Sequence, residues 1–191
     1  MKKSGAEILF NAAKRTLEGG VGSTISSTDI ASQITSGAEV ARDKSYFVKA
    51  AASQVSEKEL LNSATAKSRN TCNFVNGQLE SGRVLVVTDL RLASAVNASP
   101  TAAAYSNVLP AAVQNGEYKI VQGQKTLLEG PISDFHAGAA GVNPGDGFRK
   151  MENPFIIQPG EAITVQLYFG ASTAENTNIE MVFRGVENSA R

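Results

Sequence analysis

The sequence predicts a mainly β protein, an antiparallel β-sandwich over residues 82–191 behind an α-helical N-terminal arm over residues 1–81. Three observations predict it. After residue 82, large apolar residues alternate with polar ones at a period of two, the signature of half-buried strands. Before residue 82, the apolar residues fall at helical spacing in an Ala- and Ser-rich background. And no helix of useful length interrupts the strands, so the crossovers that parallel pairing demands are missing and antiparallel pairing is expected.

In chain order, Ala6 to Leu17 reads as a helix. Ile8, Leu9, Ala12 and Ala13 share a face, Lys14 and Arg15 suit its C-terminal end, and Gly19-Gly20 stop it. Ser27 or Thr28 caps a short helix through Ile34. Tyr46-Phe47-Val48 is the one strand-like piece of the arm. Ser56-Glu57-Lys58-Glu59 matches a capping box opening a helix with Leu60, Leu61 and Ala64, and a further helical stretch holds Cys72, Phe74, Val75 and Leu79.

Val84 to Leu92 is a long strand, with Val84, Val86, Leu90 and Leu92 on one face and Asp89 and Arg91 on the other. The loosely patterned excursion Ala93 to Val113 suits a crossing between two sheets. Asn115-Gly116 leads into Glu117–Val121, and Gln122-Gly123-Gln124 turns the chain into Thr126-Leu127-Leu128. A Gly- and Ala-rich loop spans Ala137 to Gly147. Asn153–Ile157 stops at Pro159-Gly160. Ile163, Val165, Leu167 and Phe169 then alternate with polar residues, as do Ile179, Met181 and Phe183. Each such side chain contributes roughly 1.5–3 kcal/mol gross on burial. Six or seven strands fit a single jelly roll or an immunoglobulin-like sandwich, and the long excursion favours the jelly roll.

Composition narrows the function. The chain has 191 residues, 42% apolar and 19% charged, with no formal net charge. Lys and Arg are not gathered on either half, so direct nucleic-acid binding is not expected. No apolar run approaches the ~20 residues that cross a bilayer, so membrane insertion is not expected and the chain is expected to be made in a cytoplasm. Cys72 is the only cysteine and His136 the only histidine, which rules out an intrachain disulfide and leaves a zinc site, which needs several ligands, with one Cys and one His far apart in sequence.

The remaining motifs are weak as chemistry. Glu18-Gly19-Gly20-Val21-Gly22-Ser23-Thr24 looks like a phosphate-binding loop, yet it lacks the Lys and follows a helix, so it reads as a cap and joint. His136 beside Ser133 and Asp134 reads as a loop residue, because triads are built from residues distant in sequence. Asp146 and Glu152 lack the spacing of a calcium loop. Asp89, Glu117 and Glu129 are the carboxylates that one sheet face would bring together, and Tyr105, Tyr118 and Tyr168 are the candidate exposed aromatics. No cofactor, metal or enzymatic activity is expected.

The run Glu152–Gly170, "ENPFIIQPGEAITVQLYFG", followed by an Asn/Thr-rich loop and "NIEMVFRGVE", is similar to the C-terminal strands of small β-sandwich virion proteins of bacteriophages and other icosahedral viruses. The shared features are a Pro-bounded strand, a Pro-Gly-Glu turn, an alternating strand and a final apolar-x-Gly step, here Phe183-Arg184-Gly185. The resemblance covers residues 82–187. It implies a non-enzymatic jelly-roll capsid, vertex or decoration protein, located in the virion, whose partners are other copies of itself and other virion proteins. The arm would then contact neighbouring copies through the apolar face of Ile8, Leu9 and Phe10. The runner-up expectation is a carbohydrate- or receptor-binding module of a fibre or adhesin, and a third is an enzyme built on the same fold.

Overall fold

A computed structural model describes residues 39–135 and 147–190. Their strands are β1 (Glu39–Ala51), β2 (Glu57–Leu61), β3 (Val84–Val96), β4 (Glu117–Gln122), β5 (Lys125–Pro131), β6 (Arg149–Ile157), β7 (Ile163–Tyr168) and β8 (Thr177–Ala190). A one-turn helix, α1 (Ala111–Gln114), and a 3-10 turn (Ile132–Phe135) flank β4 and β5.

Pairing follows a simple rule. β1 pairs with β8, β2 with β7, β3 with β6 and β4 with β5, all antiparallel. The chain therefore runs as one long hairpin, out along β1–β4 and back along β5–β8. Folding that hairpin over adds the β3·β8 and β4·β7 ladders and yields two four-stranded sheets, β1-β8-β3-β6 and β2-β7-β4-β5. The mainly β, antiparallel expectation stands, and the two sheets enclose one core.

The alternation read from the sequence supplies that core. Ile163, Val165 and Leu167 of β7 face Ile179, Met181 and Phe183 of β8, all six fully buried. Tyr118 and Ile120 add from β4, and Phe74 stacks obliquely on Tyr46 and edge-on to Phe183, at ring-centre distances of 4.9 and 5.6 Å.

Two departures concern β3. Thr88 is an extra residue, a bulge between Val87 and Asp89 opposite Gly185 and Arg184. The bulge switches the inward face, so Leu85 and Val87 precede it in the core while Leu90 and Leu92 follow it there. Val84 and Val86, expected to share the face of Leu90, point the other way; Val86 packs outside with Val186, Ala41 and Ile156. The strand also runs to Val96, so the excursion begins later than expected.

The larger correction is to the arm. Residues 1–38, including Ile8, Leu9 and Phe10 and the Gly19–Gly22 joint, lie outside the described residues. The expected helices at 56–64 and 72–79 are not helices. Glu57–Leu61 is strand β2, held by Glu57↔Tyr168 and Lys58↔Leu167 pairing, and the capping-box match is coincidental beside a ladder with β7. At 72–79, Val75 and Gln78 exchange both backbone hydrogen bonds across Asn76 and Gly77, whose φ values are 52° and 70°. An Asn-Gly pair with two positive φ values is the hairpin turn that matches strand twist, and it cannot lie within a helix. β1 and β2 are thus members of the two sheets, which take in residues expected to belong to the arm.

Candidate interaction surface

The residues singled out for chemistry are dispersed by this topology. Asp89 projects from the outer face of the first sheet, paired in register with Arg184 and Lys150 and accepting a hydrogen bond from Thr88 Oγ1 at 2.6 Å. Glu117 and Glu129 lie on the outer face of the second sheet, so the three carboxylates do not meet. Asp134 is engaged by Arg149 at 2.6 Å, and the same guanidinium donates to the Tyr118 hydroxyl at 3.0 Å. His136 and Asp146 lie outside the described residues, and Glu152 is exposed on β6. Among the described residues no group of three or more His, Cys, Asp or Glu is placed to hold a metal ion. No described helix is long and apolar enough to cross a membrane.

Cys72 is a buried packing residue, and burial pushes its thiol pKa up. Of the three candidate exposed aromatics only Tyr168 is exposed, at 43%. Tyr118 is in the core. Tyr105 is half-buried, its hydroxyl donating to the Pro100 carbonyl at 2.9 Å and its ring 5.0 Å from Lys49 Nζ.

The outer faces of the two sheets differ. On the first, Glu180 receives Lys49 at 3.3 Å and Arg91, all three largely withdrawn from solvent. Arg184 stacks on Phe148 at 3.5 Å, and Tyr105 covers Lys49. On the inner side of the same sheet, at the end of the core, Tyr46 donates to Glu187, which pairs with Arg83, which in turn pairs with Glu80. On the outer face the Lys49–Glu180–Arg91 cluster is closed: its charges satisfy one another, and removing one partner would strand the rest.

The second sheet presents an open outer face. Antiparallel register sets Glu57, Tyr168, Glu117 and Pro131 side by side across β2, β7, β4 and β5, and Glu59, Gln166, Lys119 and Glu129 in the next row. Tyr168 donates to Gln166 Oε1 at 3.0 Å, which fixes its ring. Lys119 reaches Glu129 at 3.8 Å, whereas neither Glu57 nor Glu117 has a cationic partner within 4.0 Å among the described residues. An exposed ring between two carboxylates is an arrangement for receiving a cation, through the ring quadrupole and two ion pairs at once.

The sequence singled out Tyr168 and Glu117 but missed Glu57 and Glu59. The available signal was the Glu-x-Glu alternation, which the capping-box reading absorbed. No family model and no curated protein matches this chain.

Proposed function

We propose that this chain is a virion structural protein, a capsid, vertex or decoration subunit with a single jelly-roll fold that assembles through repeated subunit interfaces. The observation that carries the fold is the strand order. Pairing of first with eighth, second with seventh, third with sixth and fourth with fifth, wrapped into sheets β1-β8-β3-β6 and β2-β7-β4-β5, is what rolling up one eight-stranded hairpin produces.

Fold alone does not give function. The virion reading draws further on the Glu152–Gly170 run and the Phe183-Arg184-Gly185 step. In the structure that run forms the end of β6, the Pro159-Gly160 turn and β7. The interior is filled from both sheets by Leu85, Leu90, Ile120 and Val165, which leaves the outer faces and edges as the places where this fold meets partners. Those partners are other copies of the chain and other virion proteins, and the N-terminal residues Ile8, Leu9 and Phe10 serve as a clamp on a neighbour.

The test is the mass distribution of the purified full chain by analytical ultracentrifugation and electron microscopy. Closed or extended assemblies of many copies are expected, and a chain that stays monomeric up to its solubility limit overturns the proposal. One observation favours the alternative of a carbohydrate-binding module, the exposed Tyr168. A single ring is a small stacking platform, and a glycan array tests it directly.

A further inference from the structure

We propose that the outer face of the second sheet, centred on Tyr168 between Glu57 and Glu117, docks the Arg42–Lys44 edge of a second copy of this chain. The inference rests on the assembly reading above and names the surfaces that would meet.

The occupant follows from charge and geometry. The chain has no formal net charge, yet its described surface is segregated. Two rows of the second sheet carry Glu57, Glu59, Glu117 and Glu129 against Lys119 alone. The opposite sign is in excess where β1 leaves the sandwich. Arg42, Lys44, Arg83 and Lys67 gather there around two carboxylates, Glu187 in register with Arg42 and Glu80 bridged by Lys67 and Arg83. Arg42 and Lys44 share the strand face that buries Tyr46 and Val48, yet both are exposed, so this end of β1 projects past the second sheet. Asp43 between them points to the other face, in register with Val186.

The backbone bonds that cap the outer edge of β1 lie at Phe47 and Lys49, where residues 71–73 add Lys49 N–H to the Thr71 carbonyl at 2.6 Å and Asn73 N–H to the Phe47 carbonyl at 3.2 Å. Asn73 Nδ2 extends this cover to the Ser45 carbonyl at 3.0 Å, and among the described residues no backbone hydrogen bond caps the outer edge of β1 at Arg42–Lys44. That stretch is a charged edge, which repels its own kind and accepts a complementary surface.

Spacing agrees. Arg42 and Lys44 stand about 6.8 Å apart along an extended strand, and Glu57 and Glu117, two strands apart, about 9.6 Å. Two long cationic side chains at the first spacing reach two carboxylates at the second, and one of them crosses the Tyr168 ring between them. The contact joins different patches, so each copy offers a face and an edge. Such a contact propagates from copy to copy and closes into a ring or shell when the rotation permits.

Charge reversal tests this. Glu57→Lys with Glu117→Lys, or Arg42→Glu with Lys44→Glu, replaces attraction by like-charge repulsion at an exposed interface. Each double variant is expected to self-associate at least about tenfold more weakly than wild type while keeping its strand circular dichroism. Mixing the two double variants, or combining all four changes in one chain, restores opposite charges and is expected to restore association. Tyr168→Ala weakens it without changing its salt dependence.

If the wild type assembles and both double variants assemble equally well, this inference fails and the assembly reading stands. If the face variant alone is impaired and the edge variant is not, another cationic surface occupies the face and Arg42–Lys44 is overturned as its partner. A wild type that never associates removes the assembly reading itself.

Discussion

Gly185 is the position where one added carbon should do most harm. It closes the apolar-x-Gly step of β8 and lies opposite the β3 bulge. A Cβ built there would sit 1.8 Å from the Val86 carbonyl oxygen, 2.7 Å from its carbon and 3.0 Å from Val87 Cα. All three obstacles are backbone, so no side chain can swing aside. Nor can the backbone retreat freely, because Val86 is held between Val186 of β8 and Ile156 of β6. Overpacking of this kind costs about 1–3 kcal/mol, and forcing the strands apart also forfeits a ladder hydrogen bond of about 1 kcal/mol.

Gly185→Ala is therefore expected to lose about 3 kcal/mol. That corresponds to a melting temperature lower by about 6–12 °C in a protein of this size. Urea unfolding followed by circular dichroism measures it, with an unchanged m-value showing that the denatured state is not the cause. Gly130→Ala is the control, since its Cβ would meet nothing nearer than the Tyr118 hydroxyl at 3.4 Å, an ordinary contact, and should cost little. A Gly185→Ala protein as stable as wild type within about half a kcal/mol would refute the close approach of β8 to β3 and with it the bulge register.

Other consequences follow from the same architecture. Leu167→Ala, at a fully buried position, should cost about 2–5 kcal/mol, and a loss below about half a kcal/mol in the same urea titration would place Leu167 on the wrong face. Burial, and for Tyr105 also the Glu180 carboxylate, pushes the Tyr105 hydroxyl up to about 12; burial raises Tyr118 as well, and burial with Glu187 raises Tyr46. A raised folded-state pKa stabilises fully below the ordinary tyrosine value near 10 and is lost as pH climbs through the folded values, so stability should fall above about pH 10. Absorbance at 295 nm should then show these three tyrosines ionising together with alkaline unfolding, and titration of all of them in a still-folded protein would contradict their burial. Deleting residues 1–22 should leave a folded, soluble sandwich that no longer assembles; an unfolded product in circular dichroism would show instead that these residues belong to their own subunit's core.

The strands from Val84 onward were legible because burying one face of a sheet forces a period of two, and Ile163–Phe169 and Ile179–Phe183 carry that pattern without interruption. The Gly123 and Pro159-Gly160 turns were legible because Gly supplies the positive φ they need. What the sequence concealed was local structure decided by a distant partner. Glu57–Leu61 satisfies a helix-start pattern by itself and becomes a strand only because β7 offers an unpaired edge. The Val84–Leu92 faces were misassigned because a single bulge residue, Thr88, shifts the phase, and nothing in the composition of β3 marks it. The candidate surface is tertiary for the same reason. Asp89, Glu117 and Glu129 are equivalent as residues on alternating strands, and only the wrapping of the hairpin sends Asp89 to one outer face and the glutamates to the other. Glu57 and Tyr168 lie more than a hundred positions apart, and the ladder that sets them side by side exists only once the two halves of the chain have closed on each other.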